Sequence, residues 1–220
     1  MAQYKAVAFD MGGVLIESPA KLLMDFEDEC GYPQYSAVKT FGCPEVVEAQ
    51  KVAERGDICM MEFSGIFMEN YRKLNGAEMS TPFSEAVHYA KPTMQPLKKM
   101  LRAVKLIRSK GYKTALLTNN FFIDKDHTEA THPFGDQVDE LFDVVVESCR
   151  VGMRKPDKEI YLHTLEQLRC QPKEVIFLDD FEENVQGARA VGMVAVKVSS
   201  HDVGLQELSR LLAMPLNDTK

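Results

Sequence analysis

EVIFLDDFEENVQGARAVGMVAVKVSS, residues 174–200, decides how this chain folds. It opens on an apolar run ending at Leu178, and two acids, Asp179 and Asp180, close that run. A helical pattern then covers Glu182 to Val191, and a second apolar run, MVAVKVSS, occupies 193–200. Near-continuous apolar character over about four to six residues is what a strand buried on both faces requires. Strand, helix and strand in direct succession build a parallel sheet.

Working outward, the same kind of run recurs in KAVAFD (5–10), KTALLTNN (113–120) and FDVVVES (142–148). Between the runs lie helices. In PLKKMLRAVKLIRSKG, residues 96–111, Leu97, Met100, Leu101, Val104 and Ile107 recur at three and four, and Gly111 supplies a stop. Asp157 to Leu168 behaves likewise, and one more helix is expected over Asp202 to Met214 with a frayed tail after Pro215. The expected class is therefore α/β, a Rossmann-like parallel sheet with helices on both faces. Residues 18–97 break the alternation. PAKLLMDFEDE and ICMMEFSGIFMENYRKL carry Met and Phe at helical spacing, so this stretch is expected to form a helical domain inserted after the first strand, with residues 1–17 and 98–220 as the core domain. Its Met and Phe residues are expected to be packing core, and a helix to begin within ERGDICMMEF, residues 54–63.

Composition bounds the function. At 220 residues and 45% apolar content, the chain can bury a full core and carry an insertion. A formal charge of -7 repels polyphosphate, so neither nucleic acid nor an anionic membrane surface is an expected partner. An anionic small molecule would need local cations, a bound metal or a placed lysine. Five scattered cysteines without a C-x-x-C pair are read as reduced thiols of a cytoplasmic protein. No secretory pattern opens the chain, and no run reaches the roughly 20 apolar residues that cross a bilayer. A homodimer through the methionine-rich insertion stays open.

In open parallel sheets, ligands bind beyond the carboxyl ends of the strands. Four places there carry suggestive residues: Asp10 with Gly12 and Gly13, Thr118 with Asn119, Lys155, and the pair Asp179 and Asp180 with Asn184. Each has a bland alternative. FDMGG suits a tight turn, Lys155 a solvated lysine, and Asp180 with Glu183 the capping box of the next helix. A single functional reading covers all four. Asp10 and Asp180 can share Mg²⁺, which favours a few carboxylates, waters and a phosphate. Amides of Met11, Gly12 and Gly13 can approach phosphate oxygens, Thr118 and Asn119 add neutral donors, and Lys155 adds a positive charge.

The motifs FDMGGV, LLTNN, GMRKP and FLDDFEENVQGA resemble, in order and spacing, those of the haloacid dehalogenase superfamily. The branch is the helical-cap one that includes the phosphatase domain of soluble epoxide hydrolases. The resemblance implies that Asp10 attacks phosphorus and becomes an aspartyl phosphate. It also implies that the Asp10 side chain, the Gly12 carbonyl and Asp180 hold Mg²⁺, with Asp179 close by. Thr118 and Asn119 would position the phosphoryl group of a small phosphorylated molecule, Lys155 would offset the crowded negative charge, and Asn184 would orient the acidic pair. The superfamily's phosphatases usually place a second aspartate two residues after the nucleophile, where this chain has Gly12. General acid–base catalysis is worth about 10²- to 10⁴-fold. A slow or leaving-group-selective phosphatase is therefore expected, with Glu17, Asp124 and His127 as candidate substitute acids and Gly12→Asp expected to help poor leaving groups. The alternatives are a dehalogenase, which would leave the acidic pair without purpose, and a catalytically impaired protein that binds a phosphorylated metabolite or partner.

Overall fold

The computed structural model describes residues 3–86, 94–130 and 133–216. Its centre is a five-stranded sheet of β1 (Ala6–Phe9), β2 (Lys113–Thr118), β3 (Val144–Glu147), β4 (Val175–Asp179) and β5 (Val194–Lys197), in the order β3-β2-β1-β4-β5. Every pairing is parallel. The chain runs from β1 outward to β2 and β3, then crosses to β4 and β5 on the other side. Strand order thus reverses between β1 and β4, where a crevice for ligands opens at the carboxyl edge. The register sets Phe9 beside Leu178 and Leu116, which brings Asp10 level with Asp179 and Thr118 close by.

Between β1 and β2 stand α1 (Pro19–Cys30), α2 (Ser36–Thr40), α3 (Pro44–Glu54) and α4 (Met60–Asn75), followed by a 3₁₀ turn at Phe83–Glu85. The remaining helices are α5 (Lys98–Ser109), α6 (Val138–Leu141), α7 (Ser148–Val151), α8 (Lys158–Leu168), α9 (Glu182–Ala190) and α10 (His201–Leu212). The period of two along the strands sorts the sheet's faces. Val7, Phe9, Leu116, Ile176 and Leu178 pack with Met100, Val104 and Ile107 of α5 and Leu205, Leu208 and Leu212 of α10. Ala6, Ala8, Leu117, Val175 and Phe177 pack on the other face with Ile160, Tyr161 and Leu165 of α8 and Val185 and Ala188 of α9. Small Ala6, Ala8 and Ala115 on that face leave room for Tyr161, whose hydroxyl donates to Asn184 O at 2.8 Å.

The inserted helices have a core of their own. Phe26, Phe63, Phe67, Tyr71 and Phe83 are buried there, with the Phe67 and Phe83 rings stacked at 4.0 Å. Buried Glu27 accepts from the amides of Tyr35, Ala37 and Val38 and so anchors the start of α2 on α1. The helices α2 and α3 were not legible as elements in the sequence. The first is a five-residue helix, and the buried side of α3 is built largely of Val46, Ala49 and Ala53, a faint apolar stripe. The chain leaves and re-enters the core at adjacent points, since Leu97 N donates to Leu15 O at 2.8 Å. The fraying expected after Pro215 does not hold at Leu216, which is buried and whose amide donates to Ser209 Oγ at 3.1 Å. Residues 217–220 lie outside the described residues. Among the described residues, no helix is long and apolar enough to cross a membrane, and all five cysteines are free.

Candidate active site

Asp10 directly follows β1 and Asp179 ends β4, and between them stands Lys155, an amine with 1% of its side chain exposed. Lys155 Nζ lies 2.7 Å from Asp10 Oδ1 and 2.7 Å from Asp179 Oδ2, and donates to Leu117 O at 3.1 Å. Burial by itself lowers the affinity of an amine for its proton. Here the carboxylates of Asp10 and Asp179 outweigh that and hold the Lys155 pKa above its usual value. Burial pushes the Asp10 carboxyl up to about 7, against the pull of Lys155 and with Asp179 and Asp180 adding to the rise. One buried cation faces three acids, so the site carries excess negative charge that a further cation would neutralise.

The two adjacent acids have separate employments. Asp179 is saturated: Oδ1 accepts from Phe181 N at 2.8 Å and Asn184 Nδ2 at 3.0 Å, and Oδ2 accepts from Lys155. Asn184 therefore orients Asp179 rather than the pair. Asp180 does not cap α9; the N-cap is Phe181, with no side-chain cap bond. Its Oδ1 is buried without a hydrogen-bond partner, and burial followed by Asp179 raises its pKa to about 6. Gly13, at φ +68, lies directly beneath it, where a Cβ would stand 2.2 Å from Asp180 Oδ2. Ligand oxygens of Asp10, Asp179 and Asp180 lie within 4.8 Å of one another. An orphaned carboxylate oxygen over a glycine cradle, in an all-oxygen donor set, fits a hard divalent cation such as Mg²⁺.

The other expected residues surround this centre, and some have duties the sequence did not show. Met11, Gly12, Thr118, Asn119 and Lys155 line one cavity with Asp10. Thr118 Oγ1 donates to Asn119 O at 3.3 Å. The Asn119 side chain clamps the Lys155 backbone, accepting from its N–H at 2.8 Å and donating to its carbonyl at 3.0 Å. Gly13, expected to offer its amide to phosphate, donates it to Glu17 O at 3.3 Å. A Cβ at Gly12 would stand 3.1 Å from Cγ and Cδ of Pro19, so an aspartate there needs the proline ring to give by a few tenths of an ångström. Of the substitute acids, Glu17 lines the cavity. Asp124 does not; backbone amides of Glu129 and Thr128 and the Thr128 hydroxyl hold its carboxyl down at about 2, which makes it a poor proton donor. His127 also lies off the cavity, stacked on Phe122 at 4.9 Å.

Sequence reasoning passed over Glu54 and Arg154. Glu54, on α3, is buried and accepts from Arg154 Nε at 2.7 Å and Asn119 Nδ2 at 3.1 Å. A signal existed in ERGD at the end of an otherwise weak helix, but nothing local tells which acid turns inward.

A family model described as haloacid dehalogenase-like hydrolase matches residues 4–192. The bifunctional epoxide hydrolase 2 of Rattus norvegicus is 31% identical over 94% of this chain, which spans only 38% of that protein. The sesquiterpene phosphatase astK of Aspergillus oryzae is 30% identical over 95% of this chain and 97% of its own length. Among solved structures, a haloacid dehalogenase family enzyme of Bacteroides thetaiotaomicron, in complex with magnesium and inorganic phosphate, superposes with a TM-score of 0.61 at 22% identity, covering 88% of this chain and 93% of that one.

Proposed function

Because the chain belongs to the haloacid dehalogenase-like hydrolases, we propose that it is a Mg²⁺-dependent phosphatase cleaving a small phosphate monoester through an aspartyl phosphate at Asp10. The observation that carries this is Asp10, gripped at one oxygen by Lys155 beside an Asp180 oxygen that has no partner. Asp10, the Gly12 carbonyl and Asp180 would hold the cation, with Asp179 beside them, and when bound it would neutralise charge on the phosphoryl oxygens. Lys155 holds Asp10 Oδ1, and the other oxygen attacks phosphorus while the bond to the leaving oxygen breaks and that oxygen takes a proton from solvent water. Water then attacks phosphorus and gives up a proton to solvent, the bond to Asp10 breaks, and phosphate leaves. Thr118 orients the phosphoryl group from the end of β2, and Asn119 fixes the lysine backbone.

The cavity, about 590 Å³, supports a reading of the leaving group's character. Leu22, Leu23, Val38, Phe41, Phe63 and Phe83 line its inserted side. Its basic lining residues among those described are Arg154 and Lys155, and both are engaged, by Glu54 and by Asp10 with Asp179. Among the described lining residues no cation is left for a second phosphate or a carboxylate, and with the apolar side chains above this favours the monophosphate of an apolar alcohol. The relative named as a sesquiterpene phosphatase accords with that class. With Gly12 supplying no acid, rates should climb as the leaving-group pKa falls. Across n-alkyl phosphates, each added methylene should raise kcat/KM by roughly fourfold, about 0.8 kcal/mol, until the cavity is filled. Hexose phosphates should be poor substrates. A flat response to both leaving-group pKa and chain length would overturn this assignment. Turnover also separates the phosphatase from a binder without chemistry: the binder takes up phosphate indifferently to Asp10→Asn, and beryllium fluoride with Mg²⁺ forms no adduct on Asp10.

Metal affinity should be proton-linked. Asp10 and Asp180 keep their protons to about 7 and about 6 in the folded protein without metal, above the unfolded carboxylate value near 3.9. The folded state therefore binds more protons than the unfolded one from about pH 4 to 7, and ionising these groups costs stability as pH rises through that window. A cation offsets that cost only where they are ionised. Mg²⁺ at about 100 times its Kd should raise Tm by roughly 5–10 °C above pH 7 and by much less at pH 5. Asp180→Asn should remove the difference. Thermal melts at the two pH values, with and without Mg²⁺, check this, and equal shifts at both would contradict it.

A further inference from the structure

Three consecutive residues after the body of α3 seat the insertion on the sheet domain. Glu54 reaches Arg154 and Asn119; Arg55 Nη2 donates to Asp157 Oδ2 at 3.1 Å; and Gly56, at φ +80, passes so close that a Cβ would lie 2.3 Å from Cys149 O. The Met60 amide, donated to Phe122 O at 2.7 Å, completes the seam. Arg55 meets Asp157 and Gly56 approaches Cys149, neither of which lines the cavity. Glu54 touches the site.

Glu54 is 5% exposed, and both its oxygens are used. Oε1 accepts from Gln50 Nε2 at 2.8 Å within α3, while Oε2 accepts from both Arg154 Nε and Asn119 Nδ2. The same Asn119 amide group donates to Lys155 O, and the carbonyl of that side chain accepts from Lys155 N. One carboxylate of the insertion thus holds residue 154 by its side chain and residue 155 through Asn119. A buried Arg–carboxylate pair alone would serve as a docking staple. The shared Asn119 amide is what a staple does not need.

We propose that Glu54 is a positioning residue: the seated insertion places its carboxylate on Asn119 and Arg154 and thereby fixes the backbone from which Lys155 reaches Asp10. The sheet domain then presents a complete site only with the insertion in place. The kinetic consequence rests on the phosphatase assignment; the structural consequence does not.

The test uses the full chain and Glu54→Gln, which keeps size and a carbonyl acceptor but removes the charge. Hydrogen exchange of the Lys155 amide itself, resolved from its neighbours, should quicken by roughly 10-fold or more, with β5 amides unchanged. With p-nitrophenyl phosphate and Mg²⁺, kcat should fall roughly 10- to 100-fold while KM moves by less than about threefold, the scale of losing a group that orients a site. Glu54→Asp should move both readouts the same way by less, and replaces Glu54→Gln if that variant does not fold. Arg55→Ala breaks a docking pair of the same seam and should leave kcat and Lys155 exchange near wild type. The proposal falls if Glu54→Gln changes neither readout, or if Arg55→Ala reproduces both effects, because docking alone would then explain them. A wild-type protein that does not turn over the ester sinks the phosphatase assignment, and the exchange measurement still decides the role of Glu54.

Discussion

Asp10→Asn should abolish turnover of every phosphate ester, by roughly 10⁴-fold or more, and leave the protein folded. Asparagine keeps the shape of the side chain and an acceptor for Lys155, but its amide is no nucleophile. Stability should hold for a separate reason. In the folded protein, burial has already pushed the Asp10 carboxyl up to about 7, so its ionised form is an expense to the fold rather than a support. Lys155 meanwhile keeps Asp179 at 2.7 Å and is not left alone. The variant's Tm should therefore equal or exceed the wild type above pH 7, where wild-type Asp10 is ionised, and the gap should close below about pH 3, where it is protonated in both folded and unfolded chains. Steady-state rates on p-nitrophenyl phosphate and melts at two pH values check both halves. Activity within tenfold of wild type would mean the nucleophile lies elsewhere. A collapsed fold would mean Asp10 is structural.

The second large effect is Lys155→Met, which should cost both fold and function. Methionine fills a similar volume but leaves Asp10 and Asp179 side by side in a dry site with no cation between them. Removing one partner from a buried ionic group typically costs about 3–5 kcal/mol. In a chain of this size that corresponds to a Tm drop of roughly 6–20 °C. The drop should be larger at pH 8 than at pH 5, since protonation relieves the remaining acids, and Mg²⁺ should recover part of it. Activity should fall by about 10²- to 10³-fold or more, as it does when a group that stabilises transition-state charge is removed. A variant as stable as wild type at pH 8 would show that Lys155 does not neutralise this cluster.

Much of this architecture could be read from the residues in order. The runs ending at Asp10, Thr118, Glu147, Asp179 and Lys197 carry the strands, because burial on both faces of a parallel sheet demands unbroken apolar stretches. The strand ends then pointed to Asp10, Thr118 and Asp179, whereas glycine at 13, read as room for a phosphate, is approached by the Asp180 side chain. Other assignments needed contacts between segments far apart in the chain. Asp180 and Glu183 look locally like a helix cap, and only packing shows that Phe181 occupies the cap while Asp180 faces the acids. Asn119 read as a substrate donor, yet its partners are Lys155 and Glu54.

What the sequence determined by itself is the sheet, its alternation with helices and the strand ends that bear acids, since these follow from local periodicity and the chemistry of single residues. Only the tertiary structure decided that one lysine is shared by two aspartates, that Asp180 keeps an oxygen without a partner, and that an acid on an inserted helix reaches the lysine's neighbours. Those are pairings across the crossover connections, and their energies depend on distance and exclusion of water, which no stretch of sequence contains.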